Sequence, residues 1–420
     1  MHEGGPTRFF EGGLLGLPPR VAALVVGVGV ASGLVGAAYL LVIHLLQHVL
    51  WPTQWSGAVG FLILGGVGVF AGLVTRYVGS PGDVELMVDN IHVSGTGTEV
   101  GMLRSLIPIS WLCIASGGGM GPEAPMVQTT GTLASWGARH AGLGVTESRI
   151  ITIAGMAAGF TVLFGTPLGS AVFALELLHR RGLQYYEALV PAILSSLAGY
   201  AVYVCIAVVG LRPVWHMPAP GAIHAVDLAW ALLAGVAGAL VAVIFTYLNA
   251  TLRAVMRRIA PGFRPVIGGL SLAALGLASA YSLTFGEAQI NTLLAHHDGT
   301  VAFFLLAALA KLAGTSVTLS SEWRGGFIIP LFFMGCALGR AFHVIFPGTN
   351  EVVMVVGLMA AANTGVTKTP IGSALVVTGM SSIRLLPTTL LATITALLLT
   401  ENVGLIHTQR ERDIVGEPSI

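Results

Sequence analysis

The stretch SGGGMGPEAPMVQ, from Ser116 to Gln128, sets a glycine run, a proline and a single carboxylate inside an otherwise apolar part of the chain. Glycine lets a backbone approach closely, and Pro122 suits the start of a helix, where its missing N–H would have no partner anyway. Glu123 then falls in the first helical turn. A helix start presents unpaired N–H groups and roughly half a positive charge, so it is an anion site. A carboxylate can fill such a site itself, and can leave it on taking up a proton, making room for a free anion. The bland alternative is that Glu123 caps its own helix from the water side. The apolar flanks favour the functional reading, because an intramembrane carboxylate costs roughly 2.5–3.5 kcal/mol on insertion scales. A second stretch, SEWRGGFIIP at 321–330, places Gly325 and Gly326 before an apolar helix and has no carboxylate after them. The backbone amides of Phe327 and Ile328 are then free to donate. Two helix starts aimed at one point would hold an anion without a fixed lysine or arginine, which suits weak and reversible binding.

The surrounding composition fixes the medium. Of 420 residues, 20 are Lys or Arg and 19 are Asp or Glu, or 9% charged, while 55% are hydrophobic. A soluble chain carries about 25% charged residues, so a water-facing surface cannot be built here, and the same apolar content excludes disorder. A net charge of +1 excludes a polybasic nucleic-acid binder. Cys113, Cys205 and Cys336 stand far apart in apolar runs and read as buried free thiols. His44 and His48 are four apart on one helix but have no third ligand nearby, so no metal and no cofactor is expected. The chain is read as an all-α polytopic membrane protein whose partners are a small anion, a proton and the bilayer.

Apolar runs long enough to span, at about 20 residues each, occur near 21–46, 57–78, 186–210, 226–248, 267–285, 300–318 and 384–400. Shorter pieces at 105–116, 122–137, 150–163, 167–178, 326–339, 352–362 and 370–380 are broken by glycine and proline. Such pieces imply tilted, broken or re-entrant helices around a protein-walled cavity, the construction of a transporter or channel. The first 20 residues are polar and rich in glycine and proline, with no cleavable signal, so the first apolar segment is expected to be retained. Arg180, Arg181, Arg253, Arg257, Arg258, Arg264, Arg410 and Arg412 mark loops and a tail expected to face the cytoplasm of a cell (inner) membrane. A single transport domain is expected, with halves at about 20–210 and 226–400, short tails and no appended soluble domain.

The halves repeat. TPLGSAVF at 166–173 returns as TPIGSALV at 369–376, 203 positions later; AGMAAGF at 154–160 precedes the first copy and GLMAAAN at 357–363 the second. GPEAP at 121–125 corresponds to Gly326–Pro330, 205 positions later. Duplicated transporters place their substrate at the repeat interface, between helix ends. These motifs leave open whether the halves are parallel or inverted.

GPEAP, GGFIIP and TPLGSAVFALE, in this order and duplicated, resemble the CLC family of chloride channels and anion/proton antiporters over about residues 20 to 410. The resemblance implies inverted halves, a homodimer with one pathway per subunit, Glu123 as the gating glutamate, and backbone ligands at Gly326, Phe327 and Ile328. The chloride branch reads GREGP where this chain has GPEAP. The first motif corresponds to GSPGDVELMVDNIH, Gly79 to His92, and GDVEL with GPEAP is most similar to the fluoride/proton antiporter branch. Gly82 and Val84 then fall beside the anion, and Ser80 is a candidate hydroxyl. Fluoride-branch members carry Met or Asn near Val84. Chloride exchangers have a Glu-Glu pair ending the TPLGSAVFALE block, with the second as proton relay; here Glu176 is followed by Leu177. His407, in GLIHTQ, stands about where the chloride branch has a tyrosine that reaches the anion.

Other ionisable groups have simpler readings beside the functional ones. Asp83 and Glu85 line a vestibule or cap the short helix that starts there. Lys368 precedes a helix and could draw anions to a vestibule, or belong to a loop. Glu176 is expected to pair with Arg180 at i+4, and Glu322 with Arg324. The function expected is proton-coupled exchange of chloride, fluoride or bicarbonate, with a passive channel as the alternative. An intramembrane enzyme is remote, since no HExxH or nucleophile–base spacing occurs.

Overall fold

The computed structural model describes residues 19–51, 57–180, 183–207 and 215–410, so Arg181 and Arg412 lie outside the described residues. Its first eight α-helices are α1 (Pro19–Leu50), α2 (Gly57–Tyr77), α3 (Val84–Ser94), α4 (Leu103–Ala115), α5 (Glu123–His140), α6 (Val145–Phe164), α7 (Pro167–Glu176) and α8 (Leu189–Ala207). The next eight are α9 (Ala225–Met256), α10 (Arg264–Ala278), α11 (Glu287–Ala295), α12 (Val301–Ser320), α13 (Ile328–Ile345), α14 (Glu351–Thr367), α15 (Pro370–Gly379) and α16 (Leu386–Leu399). Helices are forced here, because a backbone in lipid must satisfy its own hydrogen bonds. Among the described residues, eight segments are long and apolar enough to cross a membrane. α6 and α13 are among them, although the sequence suggested shorter pieces. Polar ends such as Val145–Ser148 hide their full length. The 267–285 run, conversely, breaks at Ser279, where a 3₁₀ turn takes over.

The sequence of helix lengths in the first half returns in the second, with the second copy trimmed in places. α1 and α9 have 32 residues each, α5 and α13 have 18, and α7 and α15 have 10. Helix contacts repeat as well: α1 packs on α8 and α6, as α9 does on α16 and α14. Two equivalent pairs touch each other directly, α2 with α10 and α7 with α15. Along α2, Gly57 meets Leu277, Gly65 meets Leu270 and Gly72 meets Gly262, so numbering rises on one helix as it falls on the other. Equivalent membrane-length helices that run antiparallel mean inverted halves. Between α7 and α15, Gly169 lies against Val376 and Gly372 against Phe173, the reciprocal contact a two-fold axis demands.

α6 and α14 are buried almost throughout and rich in alanine and glycine, so other helices surround them on all sides. Leu62, Leu240, Leu306 and Leu398 point outward and are exposed, as a lipid-facing surface requires. Cys113 and Cys336 are buried free thiols, but Cys205 is exposed on the outer side of α8. Its position in an apolar run reflects a lipid-facing surface, which sequence cannot tell from a core.

Candidate functional site

The two glycine loops meet at the two-fold axis. Gly121 N donates to Gly326 O at 2.9 Å and Gly326 N donates to Gly121 O at 2.6 Å, an antiparallel bridge between equivalent residues of the two halves. α5 and α13 both start from this bridge. Pro122 ends the loop with φ −76°, and Glu123 opens α5 fully buried. Its side chain folds back over the bridge: a Cβ on either Gly121 or Gly326 would strike the carboxyl group. No other residue type leaves that space. Glu123 Oε1 accepts a hydrogen bond from Ile329 N at 2.6 Å, in the first turn of α13. Oε2 is buried without a hydrogen-bond partner and is the oxygen to which a proton can add.

The carboxylate thus occupies the helix start of the opposite half rather than its own. It uses the amide of Ile329, one residue beyond the Phe327 and Ile328 that the sequence singled out. Phe327 sits against Phe245, ring centroids 5.9 Å apart, and both belong to a cluster with Leu405. Ile328 belongs to the large core cluster, and Val84, half-buried at the start of α3, packs on that same cluster.

Other expected site residues fall elsewhere. Gly82, at φ 67°, is buried and turns the chain into α3, while Ser80 is exposed and its Oγ only accepts from Gly82 N at 3.4 Å. Asp83 is the N-cap of α3, accepting from Leu86 N at 2.8 Å. Glu85 meets Arg253 at 3.6 Å. His407 is exposed near Glu85, and its neighbours Leu405 and Ile406 are the residues buried toward the core. The imidazole is therefore not part of the Glu123–Ile329 constellation. Lys368 is no anion attractor. It is buried, and its Nζ donates to Gly365 O at 2.7 Å, Thr400 O at 2.5 Å and Thr400 Oγ1 at 2.9 Å, closing the ends of α14 and α16.

Two local ion pairs expected from sequence are replaced by long-range contacts. Glu176 does not reach for Arg180. It accepts from Ile371 N at 3.3 Å and Gly372 N at 2.7 Å, at the start of α15 in the other half. Glu322 pairs with Arg264 at 2.5 Å, which leaves Arg324 without it. Sequence reasoning also passed over Glu287, which opens α11 and lies near enough to Glu123 to act on it electrostatically. Lys311, buried within α12, donates to Leu283 O, Thr284 O and Gln289 Oε1 at 2.7–2.9 Å. A lone lysine inside an apolar run was the available signal.

The fold and these motifs have counterparts. A family model described as voltage gated chloride channel (Voltage_CLC) matches residues 67–401. The chain is 27% identical over 421 residues to the chloride/fluoride channel protein of Pseudomonas syringae pv. tomato, covering 97% of this chain and 90% of that protein. Its structure is similar to that of a CLC-type fluoride/proton antiporter, with TM-score 0.79 and 21% identity over 93% of this chain and 98% of that one. It is also similar to a slow cyanobacterial Cl−/H+ antiporter, with TM-score 0.80 and 18% identity over 92% of this chain and 95% of that one. At such identities the two structures speak for the fold alone.

Proposed function

The chain belongs to the voltage gated chloride channel (CLC) family, whose members are channels and transporters rather than enzymes, and on that premise we propose that it exchanges a small monovalent anion for protons, with Glu123 as gate and proton carrier. The observation that carries this reading is the hydrogen bond from Ile329 N to Glu123 Oε1 across the interface of the halves. An ionised carboxylate there fills the positive end of α13. A proton on Oε2 removes its charge and weakens Oε1 as an acceptor, and the side chain swings out. The amides at the start of α13, from Phe327 to Ile329, then face a position that a free anion can take. Deprotonation reverses the step, so one side chain alternates with the anion and carries the proton.

Fluoride, chloride and bicarbonate are the candidate anions, and the similarity to a chloride/fluoride channel protein supports the first two. Val84, half-buried at the start of α3 against the core cluster that includes Ile328, is the selectivity position in this reading. A passive channel is the second reading, favoured by Leu177, which is apolar and buried where chloride exchangers carry a relay glutamate. We place the protein in a cell membrane as a homodimer. Arg253 and Arg410 both pair with α3, through Glu85 and Asp89, and Arg180 lies beside Gly404 of the C-terminal segment. By the positive-inside rule this α3 face is cytoplasmic, and so is the C-terminus. The test is a flux panel of fluoride, chloride and bicarbonate in proteoliposomes with internal pH recorded. Anion movement that drives a pH change supports exchange; anion movement without one supports the channel.

A further inference from the structure

Arg324 stands two residues before the Gly121–Gly326 bridge, on the short link between α12 and α13. Its neighbours hold the backbone rigidly. Glu322, at φ 67°, is tied to Arg264, Trp323 is buried with Nε1 donating to Pro265 O at 2.8 Å, and Gly326 is fixed by the bridge. The Arg324 side chain itself is not tied. It is half-buried, its Nε is shut off from water with no partner, and among the described residues no hydrogen bond or ion pair holds the guanidinium. Other cations around the α3 face are satisfied: Arg253 by Glu85, Arg264 by Glu322, Arg410 by Asp89 and Lys368 by carbonyls. The charged groups acting on Arg324 are Asp83 at the start of α3, Glu322 on its own link and Arg253 of α9. A buried donor without a partner is costly unless something else meets it.

We propose that Arg324 is an anion-binding residue of the vestibule on the α3 face, where its guanidinium receives the transported anion before it reaches the start of α13. A guanidinium offers five N–H donors and a permanent charge, so it binds a small anion by charge-assisted hydrogen bonds. Asp83 and Glu322 nearby limit the net attraction and keep release possible. The half-buried position leaves the side chain within reach of solution, five residues before Ile329 in the chain. The inference rests on the anion-transport reading above and adds a fixed cation to it.

The test uses the full chain reconstituted in one orientation, with fluoride or chloride flux measured as a function of concentration from each face. Arg324→Gln should raise the KM from the α3 face about tenfold, the loss of one charged hydrogen bond. The KM from the opposite face and the rate at saturating anion should stay near wild type. Added inert salt should raise the wild-type KM more than that of the variant. Arg324→Lys, which keeps the charge but not the fork, should fall between them, and it serves if the glutamine variant does not fold. An unchanged KM from the α3 face in either folded variant overturns the role of Arg324. Absence of anion flux in the wild type would instead overturn the transport reading.

Discussion

Glu123→Gln separates the two jobs given to one side chain. In the closed arrangement Oε1 accepts from Ile329 N at 2.6 Å, and Oε2 is buried without a partner. An amide oxygen can keep the first contact, but as a neutral acceptor it is weaker by about 1 kcal/mol than a carboxylate. The amide nitrogen would take the place of Oε2 and bury a donor where no acceptor stands, a penalty of about 1–3 kcal/mol. Together these destabilise the closed arrangement by about 2–4 kcal/mol, a shift of about 30- to 1,000-fold toward the open one. Glutamine cannot carry a proton at any working pH. Vesicles loaded with fluoride or chloride, with a potassium ionophore to balance charge and a trapped pH dye, report both quantities at once. The variant should pass anion at least as fast as wild type, without pH dependence and without proton movement. Proton-coupled exchange at the wild-type ratio in Glu123→Gln would refute the assignment of Glu123 as carrier.

Three further substitutions probe positions around this centre. Val84→Met, which lengthens a half-buried side chain at the start of α3, should shift the flux ratio toward fluoride in a competition between fluoride and chloride; an unchanged ratio would take Val84 off the route. Lys368→Met should lower stability by about 2–4 kcal/mol, read as a fall in melting temperature in detergent, because Gly365 O and Thr400 O lose a buried charged donor. His407→Gln should leave the pH dependence of anion affinity from the α3 face as it is in wild type, since the exposed imidazole stands apart from Glu123.

The repeat, the helix starts and Glu123 were legible because each depends on local chemistry: Gly before a helix, Pro at its opening, one carboxylate among apolar residues. The repeated TPxG block begins the two helices, α7 and α15, that the structure packs together in a reciprocal two-fold contact. What could not be read was which partner a charged side chain finds across space. Glu176 has Arg180 one turn away and still bonds the start of α15, because it is buried between the halves. Lys368 reads from sequence as a vestibule charge or a loop residue for the same reason, its acceptors at Thr400 lying far along the chain. His407 follows two apolar residues, and its exposure is set by how that stretch packs rather than by any local pattern. Leu405 and Ile406 turn inward and the histidine turns out.

The two halves share a backbone but not a chemistry. Glu123 and Glu176 both come from the first half, and both accept hydrogen bonds from helix starts of the second, α13 and α15. The positions equivalent to them in the second half are Ile328 and Gly379, neither of which can carry a charge. A fully symmetric pair of loops at the axis would present two identical helix starts to an anion, each with the same claim on it. In the proposed exchange the first-half loop would supply the titrating group and the second-half loop the amides, with gate and binding position on opposite sides of the Gly121–Gly326 bridge. On that proposal, opening would need only the rotation of one side chain away from Ile329, with the bridge and both helices left in place. That division explains why the bridging residues are glycines in both halves while the acid appears in only one: the loops must be alike to meet on the axis, and unlike for one to close the other.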